Sequence, residues 1–355
     1  MNQLTTAYNR NGLSLKNHIA MAPMTRSRAT DNIPNDLMET YYAQRNGAGL
    51  IITEGTAPTP DALGYPRIPG IFNATQIAGW KKVTAAVHAG RSKIFIQFMH
   101  TGRIGHQYNL PAGATLVGAS DIKAAGQIYT DVAGMQDHST PVALTTEDIQ
   151  TLIADHITAA RNAIDARFDG IELHGANGYL IEQFLHPVIN NRTDAYGGSI
   201  GARAALGVEL AAKIAAAIGK EKVGFRISPY STLGDLAAYD AEEVHATYSY
   251  LAQELSKIGI AYLHISMNTE LQQKTLQSIR ENFKGTLILC NGFTPASAEE
   301  ALQEGIADLI AFGRPFLANP DLVQRIATNA TLNTPDFTTA FTPGAKGYTD
   351  YPTLA

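Results

Sequence analysis

Only one cysteine, Cys290, occurs in the 355 residues. A lone thiol closes no intrachain disulfide and assembles no cysteine-rich zinc or iron–sulfur site, which fits a reducing cytoplasmic setting. No stretch reaches about 20 apolar residues without a charge, and the amino terminus, MNQLTTAYNRNGLSL, has no basic segment followed by an apolar core, so neither a membrane span nor an export signal is expected. Positive charge is not in excess either. With 27 Lys+Arg against 32 Asp+Glu the net charge is −5, which lacks the electrostatic footprint of nucleic-acid binding. Charged residues are only 17% of the chain against 45% hydrophobic, so disorder and coiled coil are excluded. The dinucleotide fingerprint GxGxxG is also missing, which argues against a doubly wound open sheet.

What is present is a recurrence. Eight short apolar runs without strict alternation, the mark of strands buried on both faces, are spread from end to end: residues 18–24, 50–56, 93–100, 170–176, 223–229, 262–267, 286–292 and 309–315. Helical patterns lie between them. Thr145 and Thr146 with Glu147 and Asp148 precede a three-and-four-spaced apolar face from Ile149 to Ile164, Asp240 and Glu243 form a capping pair, and Thr294-Pro295 and Asn319-Pro320 place a cap residue before proline at a helix start. Length alone, at about 150 residues per domain, would give two domains. Eight strand-then-helix units instead predict an α/β fold with one (β/α)8 TIM barrel as a single domain over 1–355. Asn9-Arg10-Asn11-Gly12 is a turn signal that makes residues 1–17 a bottom hairpin. Residues 101–144, too long for an ordinary loop after the third strand, are expected to form a flap over the active site.

A barrel builds its active site at the C-terminal ends of its strands. Those ends are rich in neutral hydrogen-bonding groups and arginine and poor in carboxylate and lysine. A retaining glycosidase needs two facing carboxylates, a Schiff-base aldolase a lysine, and a metal hydrolase several converging His and Asp, and none of these sets is found. Asn291-Gly292 and Gly313-Arg314, after the seventh and eighth strands, suit a phosphate, although glycine there also simply permits a tight turn. Arg226 lies in an otherwise apolar strand and needs an anion or strong acceptor; a salt bridge to Glu172 is the alternative to a ligand. His174 and Asn177 at the fourth strand's mouth can both donate to one carbonyl oxygen, and Tyr179, protonated at neutral pH, is a proton donor if correctly placed; singly, they also read as a core histidine, a turn asparagine and a tyrosine packed at a helix start.

These residues stand in an ordered series of motifs: HIAMAPMTRSRA (18–29), ITEGT (52–56), GYPRIPGI (64–71), GWKKVTAAVHAG (79–90), QFMHTGR (97–103), HGANGYLIEQFL (174–185), NNRTDAYGGS (190–199), FRISP (225–229), AFGRPFLANPDLV (311–323) and GYTDYP (347–352). In them the chain resembles, along essentially its whole length, the Old Yellow Enzyme family of FMN-dependent ene-reductases. The resemblance implies the same barrel. It implies that Pro23, Met24, Thr25, Gly55, Gln97 and Arg226 surround the isoalloxazine, with Arg226 near its N1 and O2, and that Asn291, Gly292, Gly313 and Arg314 hold the FMN phosphate. It further implies that His174 and Asn177 bind the substrate carbonyl, that Tyr179 protonates one alkene carbon while flavin N5 delivers hydride to the other, and that Tyr65 lines the pocket. The co-substrate is NADPH or NADH in a ping-pong cycle, the other partner is an activated alkene such as an enone or maleimide, and the family contains both monomers and homodimers. Three departures from the family pattern bear on specificity: Met99 where Trp is common, Gly201-Ala202 and Ala205 in place of Glu-Asn and Arg, and Phe341 where a pocket Tyr is frequent.

Overall fold

The computed structural model describes residues 3–354, so residues 1 and 2 of the expected hairpin segment, and the last residue of the 1–355 span, lie outside the described residues. The chain opens with β1 (Tyr8–Arg10), β2 (Leu13–Leu15), β3 (Ile19–Met21), α1 (Asp36–Gln44), β4 (Leu50–Ile52), α2 (Ala74–Ala89) and β5 (Lys93–Phe98). An excursion follows, carrying β6 (Val117–Gly118), β7 (Gln127–Thr130), β8 (Gly134–Asp137) and β9 (Val142–Ala143). The regular alternation resumes with α3 (Thr146–Asp165), β10 (Gly170–Gly175), α4 (Leu180–Leu185), α5 (Ile200–Ile218), β11 (Val223–Ile227), α6 (Ala241–Ile258), β12 (Tyr262–Ser266) and α7 (Gln273–Asn282). It ends with β13 (Thr286–Cys290), α8 (Pro295–Gln303), β14 (Leu309–Phe312), α9 (Arg314–Ala318) and α10 (Leu322–Thr328).

Eight of these strands close into a parallel barrel in the order β10-β11-β12-β13-β14-β3-β4-β5. They are the eight apolar runs read from the sequence, each one to four residues shorter at its C-terminal end because the rim residues leave the ladder to form loops. Alternation along the strands separates two interiors. Ile19, Met21, Ile51, Ile94 and Ile96 face outward into the layer shared with the helices, whereas Ala20, Ala22, Leu50, Ile52, Ile288 and Ala311 pack inside the barrel. That apolar inner wall runs over β3, β4, β13 and β14 and takes in Phe95 of β5 and Tyr262 of β12. On the opposite side Gln97, Glu172, Arg226 and His264 are all buried, with Glu172 paired in register to Gln97 and Arg226 to His264.

The local signals explain most helix starts. Thr145 and Asp148 form a reciprocal capping box on α3, Asp240 caps α6, and Thr294 with Pro295 opens α8. Asn319-Pro320 does not open a helix. Asn319 ends α9, its side chain donating to Pro315 O and Asn333 O, and α10 begins at Leu322 after Asp321, which pairs with Arg325 at 2.8 Å. A cap-then-proline pair thus marks a helix start only when the Asn side chain is free to turn forward.

The two extra segments sit at opposite ends. β1 and β2 pair as a hairpin, bury Leu13 and Leu15, and join Tyr8 OH to Thr286 Oγ1 at the start of β13 (2.6 Å), which closes the N-terminal end of the barrel. The excursion is a β-built arm: β6 pairs with β9, and β7 with β8 in a hairpin whose Tyr129, Val132 and Met135 are exposed. Arg67, in the loop after β4, ion-pairs with Asp131 at the hairpin tip and donates to Phe341 O and Ser27 O, so one guanidinium joins the arm, the C-terminal tail and the β3 loop. The tail is held by Arg26 and Arg28, which donate to Gly347 O at 2.6 Å and Ala340 O at 2.5 Å, and by Tyr348 stacked on Tyr41 at 4.1 Å.

Barrel closure is tightest where Gly224 faces Tyr262, since a Cβ at 224 would lie 2.1 Å from that buried ring. Gly224→Ala is expected to lower the denaturant midpoint by the equivalent of about 1–3 kcal/mol, the usual cost of overpacking a core. Gly47→Ala, where the nearest atom is at 3.5 Å, is the matched control and should lose less.

Candidate active site

The mouth is organised by the turn between β10 and α4. Asn177 and Gly178 are consecutive residues with positive φ, 58° and 80°, and a Cβ at Gly178 would lie 2.3 Å from Leu233 O. Only glycine fits the second position, and asparagine is among the few residues that tolerate the first. The turn reverses the chain so that Tyr179, at the N-terminal boundary of α4, swings back over the strand end. Its ring stands edge-on to His174 with centroids 4.8 Å apart, and its hydroxyl donates to Tyr65 OH at 3.1 Å. Of the residues read as catalytic, His174, Asn177 and Tyr179 are therefore brought together, with Tyr65 beside them.

Hydrogen bonding sets the state of each group. His174 Nδ1 accepts the N–H of Ala176 at 3.3 Å, which leaves the ring proton on Nε2. Burial, together with the nearby charge of Arg226, pushes the imidazole well below its ordinary pKa, so it is a neutral donor. Burial and the adjacent Tyr65 push the Tyr179 phenol well above 10, so it keeps its proton at every physiological pH. Asn177 Oδ1 is buried without a partner.

Beneath this turn lies a carboxylate that sequence reading passed over. Glu182 accepts from Gly178 N–H at 2.7 Å, Tyr248 OH at 2.6 Å and Ser228 Oγ at 2.8 Å, and Ser228 in turn accepts from Asn177 N–H at 2.8 Å. Both backbone N–H groups of the strained turn thus end on one side chain, directly or through one hydroxyl. The signal was in LIEQFL: every residue of α4 is buried, so its one acid had to face polar partners inside.

The remaining expected residues fall around the same opening. Gln97 and Arg226 are buried below it, Arg226 donating to Ser266 Oγ at 3.3 Å while its Nε has no partner. No ion pair to Glu172 forms; that carboxylate takes Gln97 Nε2 and His264 Nδ1 instead. Pro23, Met24 and Thr25 emerge half-buried at the end of β3 between buried neighbours. Gly55 lies against Met99, whose sulfur would be 2.5 Å from a Cβ there. Met99 is itself buried with Ala62, Leu63 and Ile68 in a layer packed against Tyr65 and Tyr179. Phe341 is 61% exposed and meets the mouth only through its carbonyl on Arg67. The altered α5 start is still capped by Ser199, and Arg203 beside it ties Leu185 O to Glu243.

On the far side, Asn291 and Gly292 are two more consecutive positive-φ residues, at 77° and 78°, and nothing lies within 4 Å of a Cβ at Gly292. The Asn291 side chain is turned away, donating to Ser266 Oγ and Met267 O, so only backbone N–H groups of this loop are free for an anion. Arg314 is exposed next to them, its guanidinium 5.9 Å from the Phe337 ring. These features fit FMN: an anion cradle beside an arginine, and a buried guanidinium with an unused N–H where the electron-rich pyrimidine edge would lie.

A closed parallel barrel with a neutral imidazole, a protonated phenol and an underused arginine at its mouth defines the class of flavin-barrel oxidoreductases. Comparison with known proteins agrees. Residues 10–333 match the NADH:flavin oxidoreductase / NADH oxidase family. The chain is 39% identical to 12-oxophytodienoate reductase 1 of Oryza sativa subsp. japonica, over 99% of this chain and 93% of the relative. Among solved structures, morphinone reductase in complex with tetrahydroNAD superposes with a TM-score of 0.95 at 42% identity, covering 99% of this chain and 98% of that one. The Old Yellow Enzyme homologue from Zymomonas mobilis gives 0.94 at 38% identity, covering 99% of each. The chain belongs to this family, the Old Yellow Enzyme family of FMN-dependent ene-reductases.

Burial raises the Glu182 carboxyl from an ordinary 4.5 to about 7, against the pull of its three hydrogen bonds. The folded state therefore holds a proton that the unfolded state releases, a stabilisation present below about 4.5 and lost as pH rises through 7. Denaturant melts at pH 5 and pH 8 should show that stability falls over this range by on the order of 2–3 kcal/mol more in wild type than in Glu182→Gln.

Proposed function

We propose that the protein reduces the C=C bond of α,β-unsaturated carbonyl compounds, enones and maleimides among them, using NADH or NADPH in two alternating half-reactions at one site. The observation that carries this reading is the grouping of His174, Asn177 and Tyr179 in complementary states, two amide- or imidazole-type donors beside a phenol that retains its proton. The relatives support it: a 12-oxophytodienoate reductase is similar over nearly the whole length, and morphinone reductase binds tetrahydroNAD on the same fold.

FMN would rest on Pro23, Met24, Thr25, Gly55, Gln97 and Arg226, with its phosphate on the backbone of Asn291-Gly292 and Gly313 and on Arg314. When bound, it supplies the hydride that ends on one alkene carbon. His174 Nε2–H and the Asn177 amide donate to the substrate carbonyl oxygen and draw electron density from the conjugated double bond. Neutrality of His174 matters here, since it donates without giving up its proton to the oxygen. Tyr179 delivers the proton to the other carbon, its O–H turning from the Tyr65 oxygen to which it donates in this structure. Arg226, with an unpartnered Nε–H, would supply positive charge to the electron-rich edge of the flavin. The Glu182–Ser228 network keeps Asn177 and Tyr179 in register with each other.

Purified protein should carry the absorption bands of oxidised flavin, or gain them on adding FMN; failure to do either would refute the cofactor assignment. In Tyr179→Phe, reduction of the bound flavin by the nicotinamide should persist while stopped-flow reoxidation by a cyclic enone slows about 100-fold or more. Unchanged reoxidation would remove Tyr179 as the proton donor. Arg314→Ala should weaken FMN binding about tenfold, read by flavin fluorescence on release.

A further inference from the structure

The barrel floor contains an ionisable pair that the reaction above does not use. Glu172 and His264 have side chains with no exposure at all, one beside Gln97 and the other beside Arg226 in the strand register. An ionised carboxylate can only accept, so each neighbour must turn an N–H towards it. Gln97 presents Nε2 to Glu172 Oε1 at 2.7 Å, and His264 presents Nδ1 to Oε2 at 2.9 Å.

These two bonds remove two ambiguities. A glutamine amide can offer either end to a ligand with nearly the same shape; with Nε2 committed to Glu172, the amide oxygen of Gln97 is what remains, and it accepts from no described residue. An imidazole can carry its proton on either nitrogen; with Nδ1–H on Glu172, His264 Nε2 is a lone pair, and it is buried without a partner. Burial and Arg226 hold His264 in its neutral form, while His264, Arg226 and Gln97 outweigh the burial that would otherwise raise the Glu172 carboxyl, and keep it ionised. The floor therefore holds one negative charge, on Glu172, against the one positive charge of Arg226.

We propose that Glu172 is a positioning residue for the flavin: it turns Gln97 into an obligate acceptor for the N3–H of the isoalloxazine, and its charge offsets Arg226, lowering the reduction potential of the bound FMN. The inference rests on the reading that FMN occupies the mouth above these residues. Its physical basis is that adding electrons to the flavin builds negative charge at the pyrimidine edge, which Arg226 favours and a carboxylate in the dry floor opposes.

The test is the equilibrium of the FMN-loaded protein with a redox dye of known potential. In Glu172→Gln the ratio of reduced to oxidised FMN at a fixed dye poise should rise at least tenfold, about 30 mV for a two-electron couple. Glu172→Asp keeps the charge but shortens the reach; its ratio should stay within threefold of wild type while FMN affinity falls. An unmoved ratio in folded, FMN-loaded Glu172→Gln overturns the electrostatic role. Should that variant not fold, wild type reconstituted with 15N-labelled FMN carries the test, since the N3–H signal should be protected from exchange and lose that protection in Gln97→Met. An unprotected N3–H in wild type overturns the Gln97 assignment. Wild type that takes up no FMN overturns the functional reading instead, so the two failures are distinct.

Discussion

Arg226 is a permanent positive charge inside a closed barrel, and much of the mouth is arranged around that constraint. An interior guanidinium cannot be left alone without a large desolvation cost. Half of the inner wall, built of Ala20, Ala22, Ile52, Ile288 and Ala311, offers it nothing. The other half answers with a carboxylate that is paired elsewhere, a neutral histidine beneath and another above, and a single serine contact. The charge is neither neutralised by an ion pair nor satisfied in full, and its open N–H at the mouth suits an anionic or electron-rich ligand. Burial, reinforced by the same charge, keeps His174 unprotonated, which makes it a neutral donor.

A second constraint is backbone strain. Asn177-Gly178 and Asn291-Gly292 are two-residue left-handed turns, one after β10 and one after β13. Such turns persist only when their surroundings over-determine them. Glu182 does this for the first, collecting both N–H groups of the turn, and Asn291 does it for the second with its own side chain bridging to β12. The resemblance placed Asn291 among the phosphate ligands. The structure shows its amide committed to the scaffold, which leaves the neighbouring backbone to meet an anion.

Eight apolar runs, their helix caps and the Asn-Arg-Asn-Gly turn were readable because each rests on interactions a few residues apart, or on burial of a whole strand. Motif order pointed to His174, Asn177, Tyr179, Gln97 and Arg226 because the barrel rule places strand ends together without further information. Asn319-Pro320 misled because the fate of the Asn side chain is settled by Asn333, fourteen residues away. Met99 lies against Gly55 and in the layer packed on Tyr65 and Tyr179, a placement set by contacts between separate loops and strands.

The sequence by itself determined the barrel, the order of its elements and the set of polar groups at its mouth, since periodicity and local caps are properties of neighbouring residues. Only the tertiary structure decided which hydrogen bond each polar group makes, and so what each can do. The end of Gln97 left free, the partners of Glu172 and the role of Glu182 all depend on atoms brought together from separate strands and helices. In a buried site an acceptor-only carboxylate dictates the orientation of every donor around it.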